Sequence, residues 1–336
     1  MFDSCYTPQM RFFRKSRECS LFFSKIELEI SDDILFSDSE KRKKIREQIE
    51  LLFCEDEELV YIPAGRSMLT VLGTQLNYMY STMDDIQKRS MDYCTQNYIE
   101  RVIKLKPAFV DSYEGMIKNH TVSIKDIQKV EKLRLCSRLS KEILQGTYKY
   151  ADGEERLQLE NRQHVKINFA SSGQQEAVWI LNVLFYYMLL GKKAYFIIEE
   201  PESHLFPDAQ KSITEFISVV RNNGNQVLVT THSPYVLGEL NNLLYANKIA
   251  KQVKQDALDD IIHPLKRLDF QQFSAYYMEQ GEARSCVDRE FQSIENEVID
   301  NASEDINKEY EKMIQLLHET REETKENASD KGTFFM

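Results

Sequence analysis

The spacing of apolar and polar residues divides the chain into a β-rich beginning, a helical middle and an alternating later part. Runs between residues 11 and 36, such as CSLFFSKIELEI, partly alternate apolar with polar residues, which predicts edge strands or a hairpin. The following SDSEKRKKIREQIELLF predicts a helix opened by a Ser/Asp cap. ELVYIPAGRSML then predicts a strand that breaks at Pro63 and Gly65, and the spacing from about 75 to 150 is helical.

Residues 165 to 250 alternate strand and helix signals. The segments are VKINFA, a long helix from 173 to 190, AYFIIEE, a helix after Pro207, QVLVTTH, and a helix begun by SPYVLGEL. This alternation predicts a parallel sheet with crossover helices, in which functional residues lie beyond the carboxyl ends of the strands. From about 288 to 317, apolar residues including Ile294 recur every three or four positions, which predicts an amphipathic helix followed by a disordered polar tail.

Composition and charge narrow the class of protein. The 336 residues are 42% hydrophobic and 29% charged, which fits one elaborated domain or two. A formal net charge of -11 argues against a surface that binds nucleic acid or anionic membrane as a whole, but it leaves room for a local basic patch. Residues 101 to 141 are such a patch, because ten basic and four acidic side chains leave a local charge of +6.

The same sequence points to a cytoplasmic location. The longest apolar run, AVWILNVLFYYMLLG, is short and rich in tyrosine, so a buried helix is expected there and no membrane partner. The N-terminus lacks the pattern of a secretory signal. The six cysteines include no C-x-x-C pair, which indicates reduced thiols and neither a disulfide framework nor a zinc site.

Acidic residues follow the most apolar of the predicted strands. Tyr195 to Ile198 are all apolar, and Glu199 and Glu200 come directly after them. Mg²⁺ prefers oxygen ligands and keeps several waters, so one carboxylate could hold the ion while the next orients an attacking water. Taken alone, the two acids could equally be solvated loop residues after a core strand.

Two further segments carry candidate chemistry at the same edge of the sheet. VLVTTHSPYVL places His232 after a strand, where it could donate a hydrogen bond to a γ-phosphate or act as a capping or packing histidine. NFASSGQQEAVWIL opens a long helix with two serines and a glycine. Such a helix start can bind phosphate, although the serines could simply cap the helix.

In order and spacing, these three segments resemble the ATPase core of the ABC-type family, in its RecF, SMC and OLD-like branch of AAA-type ATP-binding proteins. SSGQQE is similar to the signature motif of that family, AYFIIEEPESHLFP to its Walker B motif and D-loop, and VLVTTHSP to its switch-histidine segment. YIPAGRS, with Arg66, and FSAYYMEQG are similar to segments that recur in these proteins. The resemblance covers roughly residues 60 to 75 and 165 to 300.

The resemblance implies an α/β P-loop NTPase-like core with a parallel sheet and crossover helices, together with ATP and Mg²⁺ as ligands. Glu199 would be the magnesium-associated acid, Glu200 the catalytic acid that polarises water, and His232 the contact to the γ-phosphate. The signature residues would bind the nucleotide of an opposite subunit in a head-to-tail dimer; these are Ser172, Gly173, Gln174 and Gln175.

The chain departs from the family pattern in two ways. The magnesium-associated position is usually aspartate, and Glu199 adds a methylene there. The phosphate loop G-x-x-x-x-G-K-[ST] does not occur in the 336 residues, so we expect a chain without the first strand, loop and helix of the family. That pattern fits a truncated or mis-started product, a loop supplied by another polypeptide, or lost nucleotide turnover.

The predicted organisation has four parts: an N-terminal part of the ATPase core at 1–74, a helical insertion at 75–160, the motif-bearing ATPase core at 161–285, and a C-terminal helix and tail at 286–336.

The resemblance and the departures from it leave two candidate functions. One is an ATPase that drives a defence-related or nucleic-acid-associated switch, and the alternative is a non-enzymatic scaffold with a degenerate site. The expected partners are a second copy or a related ATPase subunit, with nucleic acid or an effector protein as a further candidate. The basic patch could also be the solvated face of a helical arm.

Overall fold

The fold is seen in a computed structural model, which describes residues 11–15, 18–23, 26–31, 58–71, 75, 78, 81–84, 92–121, 126–159, 163–295, 308 and 310–314. The helix predicted over residues 37–53 and the polar tail lie outside the described residues. None of the described helices is both long enough and apolar enough to cross a membrane.

The described residues form the following strands and helices. The strands are β1 (Arg11–Lys15), β2 (Glu18–Phe23), β3 (Ile26–Ser31), β4 (Glu58–Ile62), β5 (Thr147–Ala151), β6 (Glu154–Gln158), β7 (His164–Lys166), β8 (Ala194–Glu199), β9 (Gln226–Thr230), β10 (Tyr276–Glu279), β11 (Glu282–Ser285), β12 (Val287–Asp288) and β13 (Ser293–Ile294). The α-helices are α1 (Ser67–Val71), α2 (Tyr93–Leu105), α3 (Tyr113–Thr121), α4 (Ile127–Leu144), α5 (Ser172–Leu190), α6 (Pro207–Asn222), α7 (Pro234–Ile249) and α8 (Gln255–Asp259). Short 3₁₀ helices span Lys106–Phe109, Ile167–Phe169, Pro264–Lys266 and Phe270–Gln272.

A parallel sheet with strand order β4, β8, β9 organises the fold, as the alternating pattern predicts. One face of this sheet is fully buried, because Phe196 and Ile198 of β8 and the paired Val60 and Ile62 of β4 are all inaccessible to solvent. The carboxyl ends of the three strands therefore meet at one edge, where Ile62, Glu199 and Thr230 end their strands.

Helix α5 is the most buried helix of the core. Its side chains are buried on nearly every face from Ala177 to Leu189, which confirms that the long apolar run is an internal helix. Ser171 and Gln174 form a capping box at its start, and Gly191 ends it in the left-handed conformation at φ 68°. Helix α4 packs against both α5 and α6 and so joins the helical middle of the chain to the sheet.

The N-terminal hairpin prediction is confirmed, since β1, β2 and β3 form an antiparallel sheet. The helical spacing predicted to about residue 150 ends earlier, at Leu144. β5 and β6 then form a hairpin, in which Tyr148 and Tyr150 alternate with polar residues up to a turn at Asp152 and Gly153. Both turn residues have positive φ, at 55° and 75°, a conformation that an Asp-Gly pair adopts readily.

Two predicted elements differ from those observed. The segment VKINFA does not join the parallel sheet: its first residues lie in β7, which pairs antiparallel with β6, and Ile167–Phe169 is a 3₁₀ helix. The amphipathic helix predicted from about 288 is also wrong at its start, where β12 and β13 pair. Ile294 lies in β13 and is buried, and its N–H donates to Asn241 Oδ1 at 2.7 Å. In the predicted segment from 288 to 317, the described helical residues begin at residue 308.

Candidate functional site

The candidate site lies at the carboxyl edge of the parallel sheet, where the chain turns sharply after β8. Glu200 has a φ of 41°, in the left-handed region that non-glycine residues rarely adopt. Its N–H donates to the Thr230 carbonyl at 2.9 Å, so the turn is fixed to the end of β9. Strain of this kind is retained where the surrounding contacts determine the backbone, and it often marks functional residues.

The turn after β9 brings His232 to Glu200. The His232 Nε2 and Glu200 Oε1 atoms are 3.4 Å apart, and the His232 side chain is 87% exposed. The other carboxylate oxygen of Glu200 accepts a hydrogen bond from the Ser203 hydroxyl at 3.0 Å. The structure thus brings together two residues that are 32 positions apart, and a ligand at this edge could reach both.

Glu202 is a site residue whose role the sequence reasoning missed. It is only 7% exposed, and its Oε1 atom accepts hydrogen bonds from the Thr231 hydroxyl and from the His232 N–H, the latter at 3.1 Å. Within the described residues, its Oε2 atom is buried without a hydrogen-bond partner. Glu202 therefore holds the backbone of the His232 turn against the turn that carries Glu200.

Glu199 ends β8, and its carboxylate already has two protein partners. It accepts from the Tyr61 hydroxyl and from the Ala64 N–H, the latter at 3.0 Å. Burial and the adjacent Glu199 raise the pKa of Tyr61, so this hydroxyl stays a donor at neutral pH. A carboxylate oxygen has more than one lone pair, so Glu199 can accept these bonds and still face a cation or its water.

The acids at this edge suit Mg²⁺ that is bound mainly through phosphate oxygens and water. Among the described residues, no group of three or more His, Cys, Asp or Glu side chains could hold a metal by itself. Mg²⁺ is usually bound by one or two carboxylates together with substrate phosphates, so Glu199 and Glu200 provide the donors that such a site needs.

Arg66 and Glu176 form a buried pair under the site. Arg66 is 1% exposed, and the carboxylate of Glu176 accepts from the Arg66 N–H and the Ser67 N–H, both at 2.9 Å. The Arg66 Nε atom donates to the Glu176 carbonyl at 3.1 Å. This pair ties the loop after β4 to the first turns of α5.

The same guanidinium also reaches the turn that carries the acids. Its terminal nitrogens donate to the carbonyl of Glu199 at 2.6 Å and to the carbonyl of Glu200 at 2.9 Å. A third carbonyl, that of Pro63, accepts at 2.6 Å. Arg66 therefore connects the start of α5 with the backbone of both acids, a role that sequence similarity alone did not assign to it.

The four predicted signature residues have different surroundings. The Gln174 side chain accepts from the Ser171 N–H at 2.9 Å and donates to the Leu144 carbonyl at 2.7 Å. The Gln175 side chain donates to the carbonyls of Asn168 and Ala170, at 3.3 and 3.0 Å. Both side chains thus support their own helix start.

The other two signature residues differ in exposure, since Ser172 is exposed and Gly173 is buried. The Ser172 side chain is exposed, and Gly173 packs on the turn after β8. A Cβ atom at position 173 would lie 2.5 Å from the His204 carbonyl oxygen, so only glycine fits without a shift of the backbone. The helix start and the acidic turn are therefore in direct contact.

The comparison with known families agrees with this geometry. The family model described as AAA ATPase domain matches residues 6–237. The chain belongs to the AAA ATPase domain family. The matched segment is more than two thirds of the chain and includes β4, β8, β9 and all the site residues described above. Nucleotide binding, typically with Mg²⁺, and ATPase activity are the general properties of an AAA ATPase domain. No curated protein matches the chain.

Proposed function

We propose that this AAA ATPase domain protein hydrolyses ATP at the carboxyl edge of its parallel sheet, as a member of the ABC-type, RecF, SMC and OLD-like branch. The observation that carries the proposal is the pairing of Glu200 with His232, 3.4 Å apart, on two adjacent turns. A carboxylate that can accept a proton and an imidazole that can donate one are the groups needed beside a γ-phosphate.

Each site residue has a role in this proposal. Glu200 orients and deprotonates the attacking water, and His232 donates a hydrogen bond to the γ-phosphate. Glu199 would hold the metal ion, directly or through water. When bound, Mg²⁺ would neutralise charge on the phosphates. Glu202 and Arg66 touch neither nucleotide nor water in this scheme, and they position the turns that carry Glu200 and His232.

We further propose a head-to-tail dimer in which the start of α5 contacts the nucleotide of the opposite subunit. The exposed Ser172 side chain supports this, since its neighbour Gly173 packs against the turn after β8. Gln174 and Gln175 would support this contact by fixing the helix start, because their side chains and their backbone N–H groups already bond there. The dimer would drive a switch on nucleic acid or on an effector protein, in defence or DNA maintenance.

One sequence observation leaves a second candidate function to be tested. The motif G-x-x-x-x-G-K-[ST], whose backbone N–H groups and lysine wrap the phosphates, does not occur in the 336 residues. A chain that keeps the fold and the self-association surface without turning over ATP by itself would act as a scaffold or interaction subunit. The two candidates differ in whether this chain alone releases phosphate.

Release of inorganic phosphate from MgATP tests the proposal. We expect Glu200→Gln to lower the rate by about 10² to 10⁴-fold, the usual contribution of a general base. The matched control is Glu282→Gln, which makes the same change at an exposed glutamate in β11 and should leave the rate unchanged. Wild-type protein that releases phosphate no faster than Glu200→Gln would favour the scaffold candidate.

A further inference from the structure

A group of basic side chains lies at the amino end of the parallel sheet, opposite the acids. Lys129 and Lys132 project from the first turns of α4, Lys193 directly precedes β8, and Arg221 lies near the end of α6. We call these four residues the amino-end cluster. Glu199 ends β8, and the cluster lies at the other end of this strand. The six residues of β8 span about 20 Å at roughly 3.3 Å per residue.

Two of the lysines contact the end of α6. The Lys132 ammonium donates to the Asn222 carbonyl at 2.8 Å, and the Lys193 ammonium donates to the Asn223 carbonyl. Arg221 lies beside them, and its guanidinium donates to the side chains of Asn222 and Gln272. These bonds hold the cationic groups in fixed positions around one helix end.

Glycines make room for two of the ammonium groups. A Cβ atom at Gly191 would lie 2.9 Å from Lys129 Nζ, and one at Gly224 would collide with Lys193 Nζ. Both glycines have positive φ, at 68° and 86°, and end or follow helices. The lysines therefore lie directly over backbone at the ends of α5 and α6.

The negative ends of two helices offset only part of the positive charge of the amino-end cluster. A helix C-terminus carries about half a negative charge, so α5 and α6 together supply about -1. Asp126 supplies another negative charge at the start of α4. Four cations against these groups leave an excess of about +2.

The neighbouring acids do not balance the excess, because they already have partners. Asp259 pairs with Arg267 at 2.5 Å, and Glu215 pairs with Lys266 at 2.8 Å. Burial, together with the nearby Lys193 ammonium, lowers the pKa of both Lys129 and Lys132. The cluster thus holds positive charge that the protein itself compensates incompletely.

A cleft of about 600 Å³ opens beside the cluster. Lys132, Arg221 and Arg267 line it, and none of the described residues that line it is acidic. The cleft is also lined by the amide residues Gln128, Asn222, Asn225, Gln226 and Gln272, of which Asn222 and Asn225 already donate to backbone carbonyls. Fixed cations around an open cleft are the groups that bind a phosphate oxyanion.

We propose that the amino-end cluster binds a phosphate group, carried by a nucleic acid backbone or by a small phosphorylated molecule. A phosphate would balance the excess charge and accept hydrogen bonds from Lys132 and Arg221 at the cleft. Because the site lies at the other end of β8, ligand binding there does not require the ATP site.

Two probes test the site and separate the two sources of phosphate. The first is a fluorescein-labelled single-stranded 20-mer DNA, followed by anisotropy at several salt concentrations, and the second is pyrophosphate, followed by the shift in Tm. The cluster variant is Lys132→Gln with Arg221→Gln, which removes two cationic side chains that line the cleft. Its matched control is Lys251→Gln with Lys254→Gln, which removes the same charge from two exposed lysines after α7.

A nucleic acid source predicts DNA binding by wild type and control, at least 10-fold weaker in the cluster variant. Loss of two phosphate contacts should also reduce the slope of log K against log salt by about 1.4. A small-molecule source predicts no DNA binding, together with a pyrophosphate-dependent rise in Tm that the cluster variant alone lacks. The proposal is overturned if neither probe acts on wild type, or if the cluster variant responds to both as wild type does.

Loss of phosphate binding at the cluster can be distinguished from a folding defect and from loss of ATPase activity. We expect the cluster variant to fold, because both glutamines can still donate a hydrogen bond and the loss of two cations reduces repulsion within the cluster, and its Tm without ligand measures this. Glu200→Gln should respond to both probes as wild type does, since Glu200 lies beyond the far end of β8. A failure of the proposed ATPase function would therefore leave the cluster test unaffected.

Discussion

At the scale of single residues, Glu200 combines a strained backbone with an exposed functional group. Its positive φ turns the chain back towards β9, and this turn places the carboxylate beside His232. A left-handed conformation costs a residue with a Cβ atom about 1 to 2 kcal/mol, and glycine avoids that cost. The strain is a property of the backbone position and is separable from the chemistry of the carboxylate.

We predict that Glu200→Gly is more stable than Glu200→Ala by about 1 kcal/mol, because both variants lack the carboxylate and only glycine relaxes at positive φ. Urea unfolding of the two variants measures the difference. Glu282 in β11 is the matched position, since its φ is not positive, and there alanine should be the more stable residue by about 0.5 to 1 kcal/mol. Equal stability of the two Glu200 variants would contradict a strained turn.

At the scale of elements, the start of α5 and the turn after β8 behave as one packed unit. Gly173 lets the helix approach the His204 carbonyl, and Arg66 bonds to both elements at once. Two independent contacts therefore hold the predicted signature segment against the predicted catalytic turn. Each contact can be tested by a separate substitution.

Gly173→Ala should destabilise the protein by about 1 to 3 kcal/mol, because the added methyl group would overlap the backbone of the turn. The control is Gly238→Ala in α7, where a Cβ atom meets nothing within 4 Å. That change should stabilise the protein by about 0.5 to 1 kcal/mol through helix propensity. Thermal unfolding compares the two, and a stabilising Gly173→Ala would show that the helix and turn are not in contact.

Arg66 and Glu176 should show strong energetic coupling. Arg66→Met alone removes the cation from the buried Glu176 carboxylate, which keeps only its two backbone N–H donors, and we expect it to cost about 3 to 5 kcal/mol. Adding Glu176→Gln should recover about 1 to 3 kcal/mol of that loss, since the buried charge is then removed. A double-mutant cycle by chemical denaturation measures the coupling. Additive effects would mean that the pair does not join β4 to α5.

At the scale of the whole molecule, local patterns predicted most of the parallel core. The apolar run Tyr195 to Ile198 and the turn residues after it identified β8, and helical spacing identified α5 and α6. The Ser-x-x-Gln pattern at Ser171 also contained the capping box, which uses the Gln174 side chain. That signal was available and would have argued against a direct contact between Gln174 and the nucleotide.

Contacts between segments far apart in the chain could not be predicted from the sequence. The bonds of Arg66 to Glu199 and Glu200 join residues more than 130 positions apart, and the burial of Glu202 depends on how two turns meet. Ile294 fitted a helical stripe by spacing alone, but it lies in β13, where its N–H donates to Asn241. Periodicity describes a segment by itself, so it fails where tertiary pairing decides the conformation.

Acids and cations lie at opposite ends of one sheet in this molecule, and the proposed ATP site lies at the acidic end. Titration calorimetry with MgATP, on wild type and on Glu200→Gln, measures whether that site binds nucleotide. We predict saturable binding to both proteins at micromolar to millimolar concentrations, and loss of binding when EDTA removes Mg²⁺. Absence of saturable heat in both proteins would contradict a nucleotide site formed by this chain.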